Sequence, residues 1–231
     1  MSGWTPTPSY WTGSVPHERH RITTSPTEVA HLSIAFIVLT IDIALVTGFL
    51  RFGLTPGSST TSIFVGGLGF AVAAALTGFV AHEMAHKVAA QRHGFWAEFR
   101  FSPLGLLLSL VTAFAGFLFA APGATVIGGM GSTREWGRTS LAGPALNLVE
   151  GTAFLAAGVG LWPVLHSYDA WWFFTLLAFI NGWFAAFNLV PIGPLDGQKV
   201  FRWNRALWVV SFALAVVFTL GAYLVLGISP V

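Results

Sequence analysis

The sequence contains no cysteine. Disulfides, thiolate zinc sites, cysteine nucleophiles and iron–sulfur clusters are therefore excluded, and any metal must be held by His, Asp or Glu. Charge is almost as scarce: 9% of the 231 residues are Asp, Glu, Lys or Arg, where a soluble domain carries roughly 25%. So few charges do not cover a water-facing surface. With 55% hydrophobic residues and a mean hydropathy of +0.72, the chain reads as a membrane protein. The pI of about 9.4 rests on an excess of two positive charges, so it gives no argument for nucleic acid as a partner. Scarcity also gives each remaining ionisable group weight, because one inside an apolar run is a functional candidate by default.

Residues 1–27 are polar and rich in Pro, Ser and Thr, with no apolar core, so no cleavable signal peptide is expected. They read as a cytoplasmic N-terminal segment ahead of a membrane domain at 28–231. Ser25-Pro26-Thr27-Glu28 predicts a helix start, with an N-cap, proline in the first turn and an acid near the positive end of the dipole. Five apolar runs follow, at about 29–50, 63–91, 141–162, 170–190 and 206–228, the third and fourth closed by Pro163 and Pro191. Each is long enough to cross a hydrocarbon core of roughly 30 Å. Gly66, Gly67 and Gly69 suggest close helix packing. Trp136, Trp171, Trp172 and Trp203 fall at run boundaries and suggest an aromatic belt.

A sixth stretch, within 103–130, is bounded by Pro103 and by Pro122-Gly123. The Lys and Arg count separates the two topologies. If this stretch does not cross, ten of the eleven basic residues fall on one side and only Arg51 on the other; if it crosses, they split five against six. The expected fold is thus an all-α polytopic membrane protein with five transmembrane helices, an N-terminus in the cytoplasm, and a reentrant or short β element between helices two and three. Backbone of that kind at membrane depth needs protein or a water-filled cavity around it. Glu98 and Arg100, among Trp96, Phe99 and Phe101, predict a short strand.

The chemistry lies near the end of the second run, in His82-Glu83-Met84-Ala85-His86-Lys87. Residues four apart share a helix face, so His82 and His86 can present nitrogens to one metal ion, with Glu83 beside the open coordination position. Idle, three such groups facing lipid would each cost about 2.5–3.5 kcal/mol or more. Lys87 and Arg92 are placed to snorkel towards the headgroups. A catalytic zinc of this type takes a third protein ligand and leaves one position for water. The candidates are Asp42 in helix one, Glu150 in helix three and Asp196 after helix four. Helices two and four run in the same direction, which favours Asp196; Glu150 is the second choice. His93 lies seven residues beyond His86 and is not expected to ligate.

Three segments, Phe79 to Gly94, Ser140 to Asn147 (Ser-Leu-Ala-Gly-Pro-Ala-Leu-Asn) and Asn188 to Gly197 (Asn-Leu-Val-Pro-Ile-Gly-Pro-Leu-Asp-Gly), resemble the site-2 proteases. These are intramembrane zinc metalloproteases. The resemblance implies one Zn2+ per chain on His82, His86 and Asp196, Glu83 as catalytic acid/base, and Asn188 as a substrate-binding residue. It departs at Gly193, where the family usually has a second proline; here that proline is Pro194. The implied activity is endoproteolysis of transmembrane protein substrates near the cytoplasmic face, by a multi-pass cell-membrane enzyme in contact with the lipid bilayer. A substrate helix must unwind to be cut, and the Gly/Pro-rich segment Pro122 to Gly129 is the candidate edge for pairing with it. The alternative from another class is a transporter or metal-binding channel built on the same His, Glu and Asp residues, but no second copy of the His-Glu-x-x-His helix supports inverted repeats.

Overall fold

The computed structural model describes residues 21–52, 60–119 and 121–227. Residues 1–20 of the N-terminal segment, most of the turn after the first helix, and the last residue of the fifth run lie outside them. Among the described residues, five helical rods are long and apolar enough to cross a membrane, at Pro26–Thr47, Gly67–Arg92, Thr133–Leu165, Tyr168–Asn188 and Arg205–Gly227. The protein is thus an all-α polytopic membrane protein with one small sheet.

Helix α1 (Pro26–Phe52) starts where the cap signal places it, with Ser25 Oγ accepting the Glu28 N–H at 3.1 Å. The second rod is not the single α-helix expected from its hydropathy. It is α2 (Thr60–Ala74), a π-helical segment (Ala75–Ala81) and α3 (His82–Arg92). A π segment inserts extra backbone into the helix and diverts carbonyls from the usual ladder, which the hydrophobic period does not reveal. Gly78, within it, sits against the fourth rod: a Cβ there would stand 3.1 Å from the Phe184 ring.

Residues 103–130 do not cross. After strand β1 (Trp96–Phe101), helix α4 (Pro103–Phe114) has 12 residues, about 18 Å at 1.5 Å per residue. The chain then returns as strand β2 (Gly123–Gly128), antiparallel to β1 with Phe99 opposite Thr125 and Trp96 opposite Gly128. It therefore comes back beside the end of α3. Ser102 ties the two ends of this excursion: its Oγ caps α4 by accepting the Gly105 N–H at 3.1 Å, and its N–H donates to Pro122 O at 2.9 Å. The far edge of β1 is closed by α1, where Glu28 Oε1 accepts the Phe99 N–H at 3.1 Å.

Lys87 does not snorkel. It is buried and paired with the equally buried Glu28, and its ammonium also donates to Thr24 Oγ1 at 2.8 Å. An acid from α1 lies within reach, which sequence spacing alone cannot show.

Helix α5 (Thr133–Leu165) begins with a capping box of Ser132 and Glu135, carries Arg134 and Arg138 in its opening turns, and contains both Pro144 and Pro163. Pro163 does not end it: the helix runs to Leu165 and stops at His166, whose φ is 46°. A proline forfeits a backbone hydrogen bond to the preceding turn, which two more residues of helix outlast. Helices α6 (Tyr168–Asn188) and α8 (Arg205–Gly227) pack with α5, and Phe218 of α8 sits where Cβ atoms at Gly151 and Gly182 would come within 2.9 Å and 2.8 Å. A Cβ at Gly158 would be as close to Thr175 of α6, at 2.9 Å, whereas one at Gly67 or Gly69 would meet nothing, and the surroundings of Gly66 lie outside the described residues. Trp171 likewise belongs to the interior rather than to a belt. The core beneath α1 and the second rod gathers Leu39, Ile43, Phe70, Phe79 and Phe99.

Candidate metal centre

His82 opens α3 directly after the π segment, and His86 follows one turn later on the same face. Asp196 arrives from the other half of the molecule, at the start of α7 (Asp196–Trp203). The turn between α6 and α7 passes through Gly193, whose φ of 56° suits glycine. Gly197 lets the start of α7 press on the end of α6: a Cβ there would stand 2.0 Å from Leu189 O.

The three side chains converge. His86 Nε2 and His82 Nε2 lie 2.9 Å and 3.4 Å from Asp196 Oδ2, and 3.0 Å from each other. Ligands held tetrahedrally at about 2.0–2.1 Å from one zinc would be separated by about 3.3 Å, so the spacing fits one ion. Among the described residues, these three form the group of His and acidic side chains able to hold a metal. Asp42 and Glu150 do not join it. His93 does not either; its Nδ1 lies 3.4 Å from Thr139 Oγ1.

Hydrogen-bond counting fixes the rings in ligating form. Carbonyl oxygens only accept, so Asn181 Nδ2 must face Leu177 O at 3.0 Å, which leaves Asn181 Oδ1 as an acceptor for Asn147 Nδ2 at 3.0 Å. Asn147 Nδ2 also faces Gly78 O at 3.1 Å, a carbonyl of the π segment. Asn147 Oδ1 is therefore the atom against His82 Nδ1, so the His82 proton sits on Nδ1 and the Nε2 lone pair faces Asp196. For His86 the same follows in one step, since its Nδ1 lies 2.8 Å from Thr139 O. Orientation by an outer partner of this kind is usual for metal-binding histidines. Asp196 brings a carboxylate oxygen to the same point as the two ring nitrogens, the hard oxygen donor that completes a His-His-Asp set. Gly143 completes the cradle: a Cβ there would lie 2.4 Å from His86 Nε2 and 2.7 Å from His82 Nε2. The space between the ligand atoms has no room for a side chain of the protein.

Glu83 points across the site to β2. Its Oε2 accepts the Thr125 N–H and the Thr125 hydroxyl, both at 2.8 Å. The Thr125 N–H thus turns away from β1, as the N–H of its partner Phe99 turns away from β2. In an antiparallel ladder this marks a pair whose backbone groups face outward, so Gly123, Thr125 and Ile127 present theirs to the open side. That side is a cavity of about 520 Å³, lined by His82, Glu83, His86, Thr125, Asn188 and Asp196 among others. Asn188 reaches the cavity wall, its Nδ2 donating to Phe184 O at 2.9 Å. Sequence reasoning did not single out roles for Asn147, Thr139, Asn181, Gly143 or Thr125. Two asparagines within apolar helices were a readable sign; a carbonyl such as Thr139 O leaves none.

No protein-family model and no solved structure matches the chain. Sequence relatives do. The chain is 35% identical to "Putative zinc metalloprotease MJ0611" of Methanocaldococcus jannaschii over 136 residues, which cover 58% of this chain and 70% of that protein. It is 33% identical to "Putative zinc metalloprotease Rip3" of Mycobacterium tuberculosis over 138 residues, 56% of this chain but 30% of Rip3. With the buried His-His-Asp group in place, the first of these matches, covering more than two thirds of the relative, means that this chain belongs to the same family as the protein named "Putative zinc metalloprotease MJ0611".

Proposed function

We propose that this protein is a zinc-dependent intramembrane endopeptidase of the site-2 protease type, which cleaves transmembrane segments of protein substrates near the cytoplasmic face. The observation that carries the reading is the buried group of His82, His86 and Asp196, with the Glu83 carboxylate beside it in a cavity walled by a free strand edge. His82, His86 and Asp196 would hold one zinc ion through Nε2, Nε2 and a carboxylate oxygen. Zinc there supplies Lewis acidity, which activates water and polarises a carbonyl. Glu83 serves as general base, taking the proton from the attacking water, and then as general acid, passing it to the leaving amine.

A substrate helix keeps its amides in internal hydrogen bonds and must open before an amide can be cut. Once extended, it can add to the outward edge of β2 as a third strand. The Asn188 side chain, which lines the same cavity, helps hold that strand. The Lys/Arg distribution supports a multi-pass cell-membrane protein with the N-terminus and this end of the second and fourth rods on the cytoplasmic side. Glu83→Gln is the decisive variant. It should keep one zinc per chain by elemental analysis and lose cleavage of a membrane-embedded substrate in detergent or liposomes; normal cleavage by that variant would refute the assignment.

A further inference from the structure

Thr125 carries a contact that the general-base role of Glu83 does not require. Its N–H lies on the cavity edge of β2 and is taken by Glu83 Oε2 at 2.8 Å, while its hydroxyl reaches the same oxygen at 2.8 Å. The opposite edge of the sheet is unavailable for pairing, since the Phe99 N–H donates to Glu28 and the Phe101 N–H to His31 Nδ1 at 3.4 Å. A strand adding to this sheet must therefore use β2. Thr125 is the middle of the three residues there whose backbone groups face the cavity, and the one nearest Glu83. One N–H makes one strong hydrogen bond, so a substrate carbonyl and the Glu83 carboxylate compete for it. Of the three edge residues it is Thr125 whose N–H is taken by a side chain of the protein.

We propose that Thr125 is a positioning residue that holds Glu83 against β2 until an extended substrate segment takes the Thr125 N–H, so that strand docking and release of the Glu83 carboxylate are a single exchange. The proposal rests on the endopeptidase reading, and on strand addition in particular. No atom other than a hydrogen-bonded proton changes partner: the Thr125 N–H passes from Glu83 Oε2 to a substrate carbonyl, and Glu83 turns free to accept a proton from water. The hydroxyl of Thr125, which reaches Glu83 Oε2 at 2.8 Å and Glu83 O at 3.1 Å, adds to the hold on Glu83 and not to an added strand, which pairs through backbone groups.

A set of inactive variants tests the exchange without turnover. The full-length, zinc-loaded chain in detergent micelles is titrated with a fluorescein-labelled transmembrane peptide of about 20 apolar residues interrupted by a central Asn-Gly. E83Q and E83A are both neutral at this position, but the glutamine oxygen still accepts the Thr125 N–H and alanine does not. E83A should bind the peptide roughly three- to tenfold more tightly than E83Q, the worth of one neutral hydrogen bond. With T125P added to each, the N–H is gone and an outward-facing edge position tolerates the ring; the ratio should then fall to about one. A ratio that stays the same in both backgrounds reflects only the space left by E83A and overturns the exchange. If T125P leaves the affinity of E83A unchanged, strand docking on β2 itself is refuted, which is a different failure. T125V in the active enzyme, which keeps the N–H and loses the hydroxyl, gives a second readout should T125P not hold zinc. The expected result is a severalfold lower KM with no fall in kcat; a lower kcat at unchanged KM would make Thr125 a fixed support for Glu83 and overturn the proposal.

Discussion

Gly143→Ala adds a single methyl group to the proposed metal site. Its Cβ would stand 2.4 Å from His86 Nε2 and 2.7 Å from His82 Nε2. These distances exceed a zinc–nitrogen bond of about 2.0–2.1 Å by only about 0.3 to 0.7 Å, so the methyl lies where the ion would sit. Ordinary contact begins at 3.4 Å, so the rings would have to retreat by about 1.0 and 0.7 Å. Neither is free to do so. His86 is held at 2.8 Å by Thr139 O, and a retreat of that size would stretch the bond beyond hydrogen-bond range; His82 is held by Asn147, itself fixed by Asn181 and Gly78. The fold should tolerate the change far better than the metal does. Overpacking costs about 1–3 kcal/mol, and alanine in place of glycine inside a helix returns about 1 kcal/mol. The variant should therefore reach the membrane folded, with a modest change in melting temperature of the metal-free protein. Its zinc affinity should fall by more than the roughly 10–100-fold expected from losing an outer partner of a ligand. Competition with a fluorescent zinc chelator measures that affinity, and thermal unfolding after chelation measures the fold. Wild-type zinc affinity in Gly143→Ala would refute the placement of the ion between the two Nε2 atoms.

The other predictions separate ligands, supports and bystanders. Asp196→Ala should lose stoichiometric zinc by elemental analysis whereas Glu150→Ala keeps it; the reverse pattern would replace the third ligand. Asn147→Ala should weaken zinc binding about 10–100-fold while His82 and His86 remain, and unchanged affinity would refute the orienting chain through Asn181. Lys87→Met leaves Glu28 as a buried, unpaired charge and should cost about 3–5 kcal/mol of stability. In that background Glu28→Gln should recover part of the loss in thermal unfolding, and a Lys87→Met protein as stable as the wild type would mean that the pair is not buried in the membrane-bound state.

Much of this protein was legible in one dimension. Long apolar runs can satisfy their backbone in a bilayer only as helices, so the five rods follow from hydropathy, and the i, i+4 spacing of His82 and His86 needs nothing beyond helix geometry. The excursion at 103–130 was readable because ten basic residues fall on one side only if it turns back. The absence of cysteine and the scarcity of acids left few partners for the two histidines, and direction of travel along the rods singled out Asp196.

Other features depended on which surfaces meet. The burial of Lys87 against Glu28, the π segment that turns carbonyls towards Asn147, the close approach of Gly143 to both histidines and the grip of Thr125 on Glu83 all join residues more than 40 positions apart or rest on backbone groups. Periodicity reports which face of a helix is apolar. It carries no information on the neighbour that face finds, and carbonyl and amide groups are the same at every position of the sequence. The sequence by itself therefore determined the membrane fold and the candidate residues for the proposed chemistry. Tertiary structure decided which nitrogen of each histidine is free, what holds Glu83, and which strand edge remains open, because hydrogen-bond direction and close approach exist only once the rods have packed.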